Sequence, residues 1–454
     1  MMNLEWGHQD NLAQPSIDTS DFPQRAGIFD PAVVSGHARA GGLGDVTGCT
    51  VLNVWYIAGR KLSVVYRLTL SGRPPATYAF HFFRDSTSAQ AYASSPSGRG
   101  LHLLASWNAL AAEFPCDPGL PALATLTDAD AVAAHLPEPL RRAVGGCAMQ
   151  WTLLSYLPGE RAAVRQAWPA AGLTVVGKLQ PDAAASHRAM WDLWNAPGRR
   201  FGMPEPLAAA SALPLRWERY VEGQRIEALL PGASTETLLA QVARGLVGLH
   251  ASELPELPVR GHRDVLARLQ HKVLRRIGVA LPSLSERSAR FADELARHAA
   301  ALPNRTPHVV HGDLHTANLL LAGDQAVFID LDSLALGDPA FDLALLGTRL
   351  ILWDLNAGTA GAVIDSGGRG IPAAVAALPA LYAAAGGDPI PERLYAWYVA
   401  ALLVGRQLKT CIRHLAPGLP QLAPVLLAMA EGILADGVVS VERLGRPRAD
   451  VIPA

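Results

Sequence analysis

The sequence predicts an α+β chain, β-rich in its first half and mainly helical in its second. Three observations carry this. Between Val51 and Phe83, three runs rich in β-branched and aromatic residues are separated by turn residues. A run–turn–run pattern of the same kind returns a hundred residues later, and beyond residue 223 apolar residues recur at spacings of three and four. At 454 residues the chain is longer than one core usually holds, so two or three units are expected.

Residues 1–50 are rich in Gly, Asp, Gln and Ser with little periodicity, and read as a flexible extension. From Val51 the runs are Val51–Tyr56, Leu62–Leu68 and Ala76–Phe83, with a turn at Ala58-Gly59-Arg60. Tyr56, Gly59, Lys61 and Val64 are echoed by Tyr156, Gly159, Arg161 and Val164, and FHFFRD is echoed by GKLQPD at 177–182. The expected organisation is a first, non-catalytic copy of a small lobe at 51–149, its 101–144 stretch a helical spacer, and a second copy with a hinge at 150–222. A helical lobe at 223–454 follows. Aligning Asp85 with Asp182 sets His81 opposite Lys178, so only the second copy offers a cation to a phosphate. GxxxxGK at 172–178 is no P-loop, because Leu179 stands where Ser or Thr must meet Mg²⁺ and the interior LTVV reads as a strand. In the helical part, Ser234 is placed to cap a helix running to His250, and Ser283 with Glu286 forms a second capping pattern.

The chemistry concentrates at 309–342, VVHGDLHTANLLLAGDQAVFIDLDSLALGDPAFD. Two apolar runs, Leu319–Leu321 and Ala326–Ile329, flank Gly323-Asp324 and read as a hairpin. Such a hairpin brings Asp313, Asn318 and Asp330 together. A carboxylate that accepts a hydroxyl proton, with an amide and a second carboxylate that hold Mg²⁺ against nucleotide phosphates, suits phosphoryl transfer, where positioning and charge neutralisation are most of catalysis. Asp313 is then the base, and Asn318 and Asp330 are metal ligands.

These residues carry a family resemblance. His311-Gly312-Asp313 with Asn318, then Ile329-Asp330-Leu331-Asp332, then Gly337-Asp338-Pro339-Ala340-Phe341-Asp342 stand in the order found in the aminoglycoside phosphotransferase and choline kinase family. The resemblance implies a bilobal protein-kinase-like fold and ATP-dependent phosphorylation of a small-molecule hydroxyl, on a sugar, aminoalcohol or aminoglycoside-like acceptor. It implies that the last block braces the catalytic loop and that Lys178 meets the nucleotide phosphates. It also makes Leu215–Gly223, with Glu218 and Tyr220, the hinge that pairs its backbone with adenine. The family's helix glutamate falls at His187, and Asp192 is the only acid inside that helix. The duplicated lobe is similar to the maltokinase-like branch, which points to a sugar.

Other classes are weighed against this. A catalytically silent nucleotide-binding module would explain the missing glutamate. A metal hydrolase would use the alternating His311, Asp313 and His315. The net charge of −1 and the absence of a basic stripe argue against nucleic acid. No apolar run reaches the eighteen or so residues of a membrane span, and the start MMNLEWGHQD lacks a signal pattern. Cys49, Cys116, Cys147 and Cys411 form no CxxC pair, which fits a reducing, cytoplasmic setting.

Overall fold

The computed structural model of the chain describes residues 21–230, 234–254, 256–359 and 370–444. Two five-stranded antiparallel sheets come first. Helix α1 (Pro31–Ala40) leads into β1 (Val46–Ile57), β2 (Lys61–Leu70), β3 (Ala76–Phe82), α2 (Ser86–Ala93), β4 (His102–Leu104) and β5 (Ala109–Glu113). After α3 (Ala129–His135) and α4 (Glu138–Val144) the second sheet repeats the plan: β6 (Gln150–Leu157), β7 (Arg161–Trp168), β8 (Leu173–Leu179), α5 (Ala183–Trp194), β9 (Pro206–Ala209) and β10 (Leu215–Arg219). Strand orders are β1-β2-β3-β5-β4 and β6-β7-β8-β10-β9, the same order twice.

Details repeat as well. Asp85 and Asp182 stand at the N-caps of α2 and α5. Gly59 and Gly159 take positive φ (71° and 74°) at matching turns, a conformation only glycine adopts without strain. Asp21 Oδ2 accepts from the Tyr56 hydroxyl and the Gly59 amide at 2.7 and 2.9 Å, and Asp117 Oδ2 accepts from Tyr156 and Gly159 at 2.7 and 2.8 Å. Each repeat therefore begins at an aspartate well upstream of its first strand.

Two expectations change here. Of the extension assigned to 1–50, residues 1–20 lie outside the described residues, but 21–50 are folded. Asp30 caps α1 by accepting from the Ala32 amide at 2.8 Å, Pro31 occupies its first turn, and Val34 and Ala38 are buried. The stretch 101–144 is not a helical spacer throughout, since β4 and β5 complete the first sheet, Leu110 pairing with His81.

In the helical part, α6 (Ile226–Leu229) and α7 (Thr235–His250) precede α8 (His262–Arg268), α9 (Leu274–Ala280) and α10 (Ser285–Ala299). Helices α11 (Pro339–Thr359), α12 (Ile371–Ala384), α13 (Glu392–Leu402), α14 (Lys409–Arg413) and α15 (Leu419–Asp436) finish the lobe. Ser234 caps α7 through the Thr237 amide. Ser283 does not cap α10, because Pro282 opens a 3₁₀ turn that consumes it and the helix starts at Ser285. Helix α15 has the length and mean hydropathy (1.3) of a membrane span, contrary to the reading that no segment does. Leu419, Ala423, Leu426, Leu427, Ala430 and Ile433 put one face of it in the core.

One apolar cluster runs from the first sheet into the helical lobe, and a second lies under the second sheet. The first sheet is wedged between its copy and the helices. Asn53 Nδ2 donates to the Tyr156 carbonyl at 3.2 Å, and His414 Nδ1 meets the Val54 carbonyl at 2.7 Å.

Candidate active site

Short strands set the loop that carries Asp313. Strand β11 (Gln224–Arg225) pairs with β14 (Leu319–Ala322), and β12 (Val259–Arg260) and β13 (His308–Val310) flank β16 (Ala335–Gly337). Strand β14 turns at Gly323 into β15 (Gln325–Phe328), so the predicted hairpin is present. Its register, Leu319 opposite Phe328, sets Asn318 beside the start of the next loop, and the Ile329 amide donates to the Asn318 carbonyl at 3.0 Å. Asp330 follows in the left-handed region (φ 60°), which is uncommon for a non-glycine residue. Asn318 is buried and donates Nδ2 to the Asp313 carbonyl at 3.0 Å, which leaves its amide oxygen for another partner.

The loop is braced from behind. Asp342, fully buried on α11, accepts from the His311 amide at 2.7 Å, the Gly312 amide at 3.0 Å and His250 Nε2 at 3.2 Å. A Cβ on Gly312 would lie 2.1 Å from the Ser333 carbonyl oxygen, so this position needs glycine. His250 is a core residue, held on its other side by the Tyr382 hydroxyl at 2.9 Å. Replacing Asp342 with Ala strands one buried and one half-buried amide and is expected to lower stability by about 1–3 kcal/mol. Urea unfolding checks this, and an unchanged midpoint would remove the brace.

Asp313 is bonded to Arg406, 93 residues downstream. Burial would raise the Asp313 carboxyl, but Arg406, and after it His315, hold it down at about 2. His315 itself is pushed down to about 3, chiefly by burial, and its Nδ1 is buried without a hydrogen bond.

The second sheet supplies an ion cluster. Lys178 Nζ donates to Asp330 Oδ1 at 2.9 Å and lies 3.3 Å from Glu218 and 3.6 Å from Asp332. Arg216, opposite Lys178 in the β10–β8 register, pairs with Glu218 and Asp332. Burial alone would lower the lysine and raise Glu218 and Asp330. The opposite charges win, leaving Lys178 above its ordinary value, Glu218 below its own and Asp330 well below. The lysine thus joins the second sheet to the loop that carries Asp330.

Two sequence expectations are corrected. Glu218 does not offer its backbone to a nucleotide, because β10 is flanked by β8 and β9 there, and its side chain is the partner the lysine lacked on α5. The Tyr220 amide is also taken, donating to the Thr174 carbonyl at 3.1 Å, while Arg165 lies over its ring at 4.8 Å. A groove of about 720 Å³ adjoins the next residues, lined by Glu222, Gly223, Gln224, Ser234, Gln241 and Leu321 among others.

His311, Asp313 and His315 do not form a metal cluster. His311 Nε2 meets the Ile329 carbonyl at 3.1 Å, and among the described residues no group of three His, Cys, Asp or Glu side chains is arranged to hold a metal. Asn318 and Asp330 fit a different ion. One amide oxygen and one carboxylate match Mg²⁺, which takes few protein ligands and completes its shell with phosphates and water. Sequence reasoning missed Arg216, Asp332 and Arg406. The first two carry a local signal, a charged pair on a strand and an acid two residues after Asp330, but Arg406 carries none.

The model of the phosphotransferase enzyme family, APH, matches residues 173–397. No curated protein matches the sequence. Among solved structures, a choline/ethanolamine kinase family protein from Mesorhizobium loti is 19% identical, with TM-score 0.48, covering 71% of this chain and all of that one. A thermostable mutant of aminoglycoside phosphotransferase APH(4)-Ia is 17% identical, with TM-score 0.48, covering 66% of this chain and 98% of that one. Spectinomycin phosphotransferase APH(9)-Ia, solved with ADP and spectinomycin, is 11% identical with TM-score 0.42, covering 70% and 96%. With its three sequence blocks in order inside an α+β fold, the chain matches the phosphotransferase enzyme family over residues 173–397.

Proposed function

We propose that this protein transfers the γ-phosphoryl group of ATP to a hydroxyl of a small molecule. The observation that carries the reading is the convergence of Lys178 and Asp330 from separate lobes, 152 residues apart, next to a loop that presents Asp313 and Asn318. Asp313 takes the proton as the hydroxyl oxygen attacks the γ-phosphorus. The bond to the bridging oxygen breaks and ADP leaves. Lys178 swings from its carboxylates to the α- and β-phosphates, and Glu218 and Arg216 keep it aligned. Mg²⁺, held by Asn318 and Asp330, would supply neutralisation of phosphate charge. Residues 117–222 serve as the nucleotide lobe and hinge, 21–115 as its non-catalytic copy, and Val221-Glu222 as the strip facing adenine.

Asp330→Ala tests the metal site. Calorimetry should find Mg²⁺·AMP-PNP bound about tenfold or more weakly, the scale of one lost contact to a charged group. Unchanged affinity and turnover would take Asp330 out of the mechanism.

A further inference from the structure

Arg406 does not stand alone. It sits on a π-helical turn, Leu403–Leu408, between α13 and α14, and a second π-helical turn, Leu269–Val273, lies between α8 and α9 and packs against the first. Such turns are rare and cluster at functional sites. Arg268 precedes the second turn, Arg276 follows it, and Lys409 and Arg413 follow the first. Arg413 lies over the ring of Trp55, from the first sheet, at 4.0 Å.

Five basic side chains therefore gather here, and among the described residues the one carboxylate paired with any of them is Asp313. Within the same residues Arg268, Arg276 and Lys409 have no ion pair. Solvent accounts for only part of the set: Arg268 is exposed, but Lys409 is only 3% exposed and the Nε atoms of Arg276 and Arg413 are buried without hydrogen bonds. Burial first, then Arg268, Arg406, Arg413 and Arg276, push the Lys409 ammonium down to about 5. Arg413 is brought to about 9, by burial and then by Arg276 and Arg406. Beside these guanidinium groups the buried lysine stays neutral near pH 7, and an anion joining them would offset their mutual repulsion and favour its protonation.

We infer that the acceptor whose hydroxyl Asp313 deprotonates is itself an anion, a hydroxy acid or a phosphate monoester, gripped by Arg406, Lys409 and Arg268. This rests on the phosphotransferase reading and narrows its acceptor. The Arg406–Asp313 pair gives the anion a second task. While Arg406 holds Asp313, it occupies a carboxylate oxygen that the acceptor hydroxyl needs. An incoming anion competes for the guanidinium and frees that oxygen, so the base is uncovered as the acceptor seats. A cationic aminoglycoside or aminoalcohol would meet repulsion instead.

The test uses the full chain with D-gluconate and D-glucose 6-phosphate as anionic probes, D-glucose as the neutral one and ethanolamine as the cationic one. Calorimetry with Mg²⁺·AMP-PNP present should show an anion binding at least about tenfold more tightly than glucose. The gluconate and glucose 6-phosphate arms separate a carboxylate from a phosphate. Lys409→Met should narrow that ratio, because an anion can no longer draw a proton onto this side chain, while raising the thermal midpoint, because a buried amine without an ion-pair partner is replaced by an apolar side chain of similar length. Glucose or ethanolamine binding as tightly as both anions would overturn the inference and leave the phosphotransferase reading standing. An anion that binds but is never phosphorylated when ATP replaces AMP-PNP would keep the anion site and overturn the phosphotransferase reading.

Discussion

Asp313→Asn is expected to depress turnover by about 10²- to 10⁴-fold, the usual contribution of a positioned general base. The substitution keeps shape and removes the proton acceptor. Nucleotide affinity should change little, since the Asp313 carboxylate is bonded to Arg406, whereas Lys178 and Asp330, the groups proposed to meet the phosphates, are bonded to each other. Arg406 loses its charged partner in the variant, so an anionic acceptor should bind no more weakly than before. Turnover, Mg²⁺·AMP-PNP affinity and metal content on one sample separate the candidate chemistries. Full turnover would exclude Asp313 as the base, and loss of a stoichiometric transition metal would point to the hydrolase reading instead.

The parts of this site that are close along the chain are legible in the sequence alone. Asp313, Asn318 and Asp330 fall within eighteen residues, and a glycine turn between two apolar runs is enough to fold them together. Asp342 is legible as a brace through the family pattern, and its three donors bear this out. The partner of Lys178 is not, because the expected partner comes from a helix at a known offset. Here Glu218 reaches it from a neighbouring strand, through a pairing register that sequence does not display. Strands β4 and β5 are hidden for another reason. Their residues, HLL and ALAAE, favour helix by intrinsic preference, and pairing with β3 overrides it. In 21–50 the glycines of the composition mask a well-capped helix. Arg406 is far along the chain and sits in an apolar helix, so only the fold connects it to Asp313.

The two copies of the small lobe make the second large effect a controlled comparison. His81 and Lys178 occupy the same place in matching sheets, third strand, opposite the third residue of the second, with Ser63 and Ala163 as their cross-strand neighbours. Their surroundings differ in charge. His81 bonds the Ser63 hydroxyl at 3.0 Å, and burial pushes its imidazole down to about 4, so it is neutral near pH 7. Lys178 has three carboxylates around it. Lys178→Ala should lower kcat/KM for ATP by about 10²- to 10³-fold, as expected for loss of one preorganised electrostatic contact to the transferring group. It should also destabilise the junction of the two lobes, because Glu218, Asp330 and Asp332 would then share Arg216 alone. His81→Ala should leave kcat/KM within about threefold of the parent, since a packing change with no partner shared with the site couples to it by about 0.5 kcal/mol or less. Steady-state kinetics on both variants, each checked for a cooperative melt, decides the matter. Equal losses would mean that the first sheet, and not only the second, meets the nucleotide.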